Sequence, residues 1–267
     1  MTRSLFIAVI LTTVMTQAFQ FEAIRLLEGY WGPRPIMVRL AERRRRTKAA
    51  KRDALWDRMG AIEDRAHGRA ISAMIEKGVP VETIELVRKL YRGEITEDDL
   101  TESQRDEVTS HPWEAYAPTG DLRRLDTLDA AARCYPDTDL GIRSTLLGNT
   151  LAAYEDPVEE RIRGPIEDFV QRVFHRLPPH TQVDHDHFRS RLDLYCSLVV
   201  VFLLDGVIAV AALAGVDVVE AVVSGVVAAL LALLSYRAAV TSARLYGTML
   251  NTIADLVDEE TAQHPAN

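Results

Sequence analysis

Apolar residues gather at the two ends of the chain and leave a polar middle. Residues 4–21 (SLFIAVILTTVMTQAFQF) are apolar apart from hydroxyl and amide side chains, and the stretch reaches Leu27 if Glu22 and Arg25 lie at an interface. Residues 196–216 (CSLVVVFLLDGVIAVAALAGV) contain one charge, Asp205, and residues 218–236 (VVEAVVSGVVAALLALLSY) follow after almost no turn. Both stretches match the roughly 20 residues that carry a helix across about 30 Å of hydrocarbon. Their β-branched content does not argue for strands, because a lone strand cannot satisfy its backbone groups in lipid. The expectation is three transmembrane helices, one N-terminal and two forming a C-terminal hairpin.

Basic flanks give these spans one orientation. Arg39, Arg43–Arg46, Lys48, Lys51 and Arg52 follow the first span, Arg189 and Arg191 precede the second, and Arg237 and Arg244 follow the third. The hairpin turn carries only Asp217 and Glu220. With cytoplasmic loops enriched in Lys and Arg, the expected protein is multi-pass in the cell membrane, with its N-terminus outside and its C-terminus cytoplasmic. A cleaved signal, with Arg3 as n-region and Thr16-Gln17-Ala18 as cleavage site, is the rival reading of the first span. The basic run just after that span favours a retained anchor. The expected divisions are an anchor at 1–29, a cytoplasmic helical domain at 30–195, a transmembrane hairpin at 196–236 and a cytoplasmic amphipathic tail at 237–267.

The middle reads as helical. Residues 35–77 show helical periodicity with Leu40, Leu55, Trp56, Met59, Ile62, Ile71 and Ile75 as inward positions, stopped by Gly78 and Pro80. A second helix fits 81–91, and Thr96-Glu97-Asp98-Asp99 has the form of a capping box opening a short acidic helix. Residues 110–120 read as a loop, 122–133 and 143–154 as helices, and 157–177 as a helix interrupted at Gly164-Pro165. After Pro178-Pro179 a last helix from about residue 186 leads into the membrane. Residues 236–257 continue as an amphipathic helix with Leu245, Tyr246, Met249, Leu250, Ile253 and Leu256 on one face; it extends the third span or folds back on the cytoplasmic helices. No alternating strand pattern occurs, so the fold class is all-α.

The 267 residues carry a net charge of −8, which hides two opposed parts. Residues 1–77 hold 15 basic and 8 acidic side chains, and the remainder 16 and 31. The basic run lacks interleaved aromatics and any zinc, helix-turn-helix or RNP pattern, which argues against nucleic acid. An acidic middle favours basic protein surfaces. Cys134 and Cys196 fall in or near a reducing compartment on this topology and are expected as free thiols.

At Leu26-Leu27-Glu28-Gly29-Tyr30-Trp31 the sequence resembles a family of poorly characterised prokaryotic membrane proteins with an LLEGYW-like stretch after an N-terminal span. The resemblance continues at Leu147-Gly148-Asn149-Thr150-Leu151 with Ala153, Glu155 and Asp156, then at Ser190–Leu194 and Ala243–Gly247. It departs at Arg161–Gly164, where a Tyr-Gly pair is expected, and near Val173-Phe174, where a Trp-Pro element is replaced. It implies an integral membrane protein with a cytoplasmic helical insert, and no reaction.

Candidate chemistry is sparse. His175, His180, His185 and His187 stand with Asp184 and Asp186 within thirteen residues, but without the spacing that puts two ligands on one helix face, so a solvated loop is favoured over a metal site. Asp205 is sharper: a carboxylate near mid-span is costly and ordinarily faces a bundle interior or water. Structural packing is favoured there over a proton or ion path, with Gly206, Gly215 and Gly225 permitting close helix approach. Glu28, Tyr30 and Trp31 read as an interfacial anchor, with the aromatics at headgroup level. Gly29 and Gly148 belong to the family motifs, and Asn149 and Glu155, six apart on one helix, face different ways and tie helices together. No nucleotide-binding, nucleophile-elbow or paired-Cys zinc motif occurs. The expected protein is non-enzymatic, without cofactor or bound metal. Its expected partners are the lipid bilayer and either its own copies or another protein, not nucleic acid. The alternative is a pore-forming or membrane-perturbing effector gated by the cytoplasmic module.

Overall fold

The computed structural model describes residues 21–263, with side chains up to Asp258. The first expected span, but for Phe21, lies outside the described residues, as does the signal-peptide alternative. Every regular element among the described residues is helical. Residues 21–28 form α1, followed by α2 (Pro35–Glu76), α3 (Val81–Tyr91), α4 (Glu102–Ser110), α5 (Thr119–Ala132), α6 (Leu146–Ile162), α7 (Ile166–Val173), α8 (Pro179–Leu213) and α9 (Val218–Gln263). They form two compact units: residues up to Ala50 together with those from Arg133 onward, and Lys51–Ala132. The boundaries fall inside the stretch 30–195.

In the first unit, α8 and α9 are long and apolar enough to cross a membrane. At about 1.5 Å per residue they are about 52 and 69 Å long, so each outruns the hydrocarbon. The tail after Tyr236 therefore continues the third apolar stretch as one helix. Ala221, Gly225, Ala228, Ala232, Ser235, Ala239 and Ser242 follow one another at steps of three and four along α9, giving a seam of small residues. A Cβ added at Gly206 on α8 would come within 2.8 Å of the Ala228 methyl, and one at Gly225 within 2.8 Å of Val210. Small side chains let two helices pack where lipid supplies no hydrophobic drive for association.

Beyond the apolar stretch the same two helices support a core. Leu147, Leu151 and Val158 of α6 and Ile166, Phe169 and Val170 of α7 pack with Leu192 of α8 and Tyr246, Leu250 and Ile253 of α9. Ile24 and Leu27 of α1 lie against it. Leu245, assigned to the inward face from sequence, is exposed. The helix boundaries also differ from expectation: α6 runs through Pro157 to Ile162, and Arg163 ends it in the left-handed conformation at φ 55°. The Glu159 carboxylate then accepts the Ile166 amide at 3.2 Å and caps α7. The last helix begins at Pro179, earlier than expected, because a proline at the first position loses no helical hydrogen bond.

The second unit is built on the later turns of α2. Ile71, Met74, Val79, Ile84 and Val87 make its core, flanked by Val108, Trp113 and Tyr116. His67 stacks on Tyr91 at 3.8 Å between ring centroids, with Trp113 edge-on to both. The Thr96 box holds only a single 3-10 turn, Glu97–Asp99, and a second box at Thr101 and Gln104 opens α4. Leu40, Trp56 and Ile75, expected inward, are exposed. The buried stripe is Ala66, His67, Ala70, Ile71 and Met74, in which the two alanines admit close neighbours and Ile71 and Met74 enter the core. Met74→Ala is expected to cost about 2–5 kcal/mol, and Trp56→Ala to stay within about 0.5 kcal/mol. Chemical unfolding of the two variants, followed by Trp113 fluorescence, checks the contrast.

Candidate functional site: a polar junction beside the apolar hairpin

Four chain segments that are distant in sequence meet beside the end of the apolar hairpin, all within the first unit. Gly29, at φ 102°, ends α1 with the Gly29 amide donating to the Leu26 carbonyl at 3.1 Å and the Tyr30 amide to the Arg25 carbonyl at 2.9 Å. This is a Schellman ending, which needs a residue tolerant of positive φ. The Ser144 hydroxyl donates to the Gly29 carbonyl at 3.0 Å. A Cβ at Gly148 would overlap the Glu28 carbonyl, so α1 and α6 touch backbone to backbone only because residue 148 has no side chain.

The start of α6 is held by α9. The Tyr236 hydroxyl accepts the Leu146 and Leu147 amides, each at 3.1 Å, and the Thr145 hydroxyl accepts the Gly148 amide at 3.0 Å. These bonds satisfy the donors that a helix start leaves unpaired. Asn149, fully buried, accepts the Arg143 amide at 2.8 Å and donates to the Arg143 carbonyl at 2.9 Å and to the Thr145 carbonyl. It is thereby a clasp for the loop that leads into its own helix, α6. Further along, a Cβ at Gly247 would overlap the Tyr154 ring. Arg244 donates to Cys134 Sγ at 2.7 and 3.0 Å. Cys134 and Cys196 are both buried free thiols.

A cavity of about 180 Å³ opens at this junction, lined by Glu28, Glu155, Glu167, Asp193, Arg143 and Arg189 among others. The Arg189 guanidinium lies 5.5 Å from the Tyr246 ring centroid, donates to its hydroxyl at 3.5 Å, and sits 3.6 Å from Asp193. Arg143 reaches Asp156 at 3.8 Å. Burial, followed by the nearby carboxylates of Glu28, Glu167 and Glu159, pushes Glu155 up to about 7, against the opposing pull of Arg189. Glu155 thus exchanges its proton near neutral pH. In the sequence Glu28 and Glu155 belong to separate motifs and Glu167 to none; Arg189 stands there as a basic flank, Asp193 and Tyr246 fall within further stretches of the resemblance, and Tyr236 closes the third apolar stretch. The four-residue step from Arg189 to Asp193, one turn before an apolar span, was the available signal.

The remaining expected residues lie elsewhere. Tyr30 is exposed, with Arg25 5.7 Å from its ring centroid, and the Trp31 indole donates to the Leu26 carbonyl at 3.0 Å. Asp205 is on the outward face of α8, among exposed Leu203, Leu204, Val207 and Ile208, while Gly206 beside it turns inward. A bundle interior or water was expected around it; within the α8–α9 pair it points away from the packed side. His175, His180 and His187 are exposed, and His185 packs against the Phe174 and Tyr246 rings. Among the described residues no group of three His, Cys, Asp or Glu side chains is arranged to hold a metal ion.

A carboxyl raised in the folded state above its ordinary value of 4.5 keeps a proton that the unfolded chain has already lost. Its penalty is absent below about 4.5, grows between about 4.5 and 7, and is complete above about 7. Glu155→Gln is therefore expected to raise the melting temperature at pH 8 by several degrees and to leave it unchanged at pH 4.5. Thermal unfolding of both proteins in one detergent across that range measures the difference.

No family model, curated protein or solved structure matches this chain.

Proposed function

We propose that this chain is a non-enzymatic, multi-pass membrane protein that self-assembles in the bilayer and holds a cytoplasmic helical module at its surface for protein interaction. In this reading it has three spans, an external N-terminus and a cytoplasmic C-terminus. The observation that carries self-assembly is Asp205 on the outward face of α8 amid exposed aliphatic side chains. In lipid such a carboxylate requires a polar or packed partner, and a second copy brings a matching face. The non-enzymatic part rests on the junction, where Ser144, Thr145, Asn149 and Tyr236 direct their polar atoms to backbone groups.

The test is the oligomeric state of the full chain in mild detergent and in nanodiscs. The wild type is expected to run as a closed oligomer, and Asp205→Leu to shift toward monomer while keeping its helicity. A monomeric wild type in both environments contradicts the proposal. The same outward position favours a second reading, a membrane-perturbing effector, because closed assembly would bring several Asp205 carboxylates around one axis. A voltage-sensitive dye distinguishes the two: depolarisation on expression of the wild type but not of Asp205→Asn supports the effector, whereas silence from both, at matched abundance, supports the scaffold.

A further inference from the structure

The stretch between the end of α1 and the third turn of α2 is tied down at both ends to the same short strip of chain. Gly29 accepts from Ser144, and Arg45 donates to the Ile142 carbonyl at 2.8 Å and to the Leu140 carbonyl at 3.5 Å. Two residues beyond Ser144, α6 begins at the hydroxyl of Tyr236, the residue that closes the apolar stretch 218–236. Residues 30–44 are thereby held beside the end of the hairpin, at the level of the proposed membrane surface.

The first turns of α2 present a composition suited to that place. Val38, Ala41, Glu42 and Arg45 line a cavity of about 470 Å³ shared with Ser144 and Arg143, and so mark the inner face. Ile36 and Arg45 are nine positions apart, about two and a half turns, so they face opposite ways. Ile36 is 75% exposed and Leu40 43%, and Arg39, Arg43 and Arg44 share their outward side and are exposed. Between residues 34 and 46 there are six arginines and one acidic residue. Ile36 and Leu40, four positions apart, stand together on this face, whereas exposed aliphatic residues on a solvated surface ordinarily stand singly.

We infer that the outward face of α2 at Ile36, Arg39, Leu40, Arg43 and Arg44 docks on anionic phospholipid, its aliphatic side chains entering the interface and its guanidinium groups binding headgroup phosphates. The occupant follows from charge complementarity and from continuity with the proposed spans. Aliphatic residues on the same side as arginines suit an interfacial helix, whose arginine stems lie along apolar surface while the heads reach phosphate. Juxtamembrane basic clusters are drawn to anionic leaflets. Tyr30 and Trp31, immediately before α2, suit the headgroup level. The inference rests on the membrane reading above.

The test reconstitutes the full chain, with Ile36→Trp as reporter, in phosphatidylcholine–phosphatidylglycerol vesicles of constant composition. Either one lipid or the other carries brominated acyl chains. Emission is read as the increment over the parent protein, and Leu233→Trp on the apolar part of α9 serves as the membrane control. The Ile36→Trp increment is expected to be quenched at least twofold more by brominated phosphatidylglycerol than by brominated phosphatidylcholine. Adding Arg39→Gln, Arg43→Gln and Arg44→Gln is expected to bring that ratio to about one. Equal quenching by the two lipids without those changes overturns anionic recognition. Absence of quenching at position 36 with strong quenching at 233 overturns the docking, as it would if a second copy or another protein covered this face. Absence at 233 overturns the membrane reading itself.

Discussion

The bare backbone of Gly148, with the Glu28 carbonyl pressed against it, sets how the first unit is assembled. A side chain there would drive α1 away from α6, and with it the Gly29–Ser144 bond and the polar cavity that the two helices help to enclose. The contact is worth little as an attraction. Its importance is geometric: it permits a distance that other interactions then hold. Helix α6 cannot slide to relieve it, because its first amides are bound to Tyr236 and its side chains are buried against α9. A chain leaving the N-terminal apolar stretch is thereby fastened to the hairpin that ends the sequence.

The hairpin itself packs in two different ways along one helix pair. In the apolar part, α8 and α9 meet through glycine, alanine and serine, and the larger Val and Leu residues turn outward. Past Ala239 and Ser242 the order reverses, and Tyr246, Leu250 and Ile253 turn inward beneath α6 and α7. The hydrophobic effect favours the second arrangement wherever water surrounds it, whereas close packing of small residues is what would remain available to the first in lipid. The change between the two falls between Ser242 and Tyr246.

This change explains what was legible in the sequence and what was not. Length and charge-free composition located the two apolar helices, and Gly78, Pro80 and Pro178 located breaks among the others. The contact of Gly148 with the Glu28 carbonyl, and the bond of Gly29 to Ser144, join stretches far apart in the sequence. The direction in which Asp205 points was not legible, because a neighbour's glycine decides which side of α8 packs. Nor was the burial phase of α2, where Ala66, Ala70 and Met74 are buried and Trp56 and Ile75 exposed. The raised Glu155 is a property of four elements brought together, and no single segment carries it.

The most direct test of the central claim, that α8 and α9 cross the bilayer as a hairpin whose extension returns to the cytoplasm, is labelling of single added cysteines in intact cells. Val216 at the hairpin tip and Thr252 on the extension are both exposed, while the native thiols are buried. A membrane-impermeant maleimide is expected to label Val216→Cys from outside and Thr252→Cys only after permeabilisation. Labelling of both positions only after permeabilisation, with the protein extracted by salt or alkali, would contradict the account.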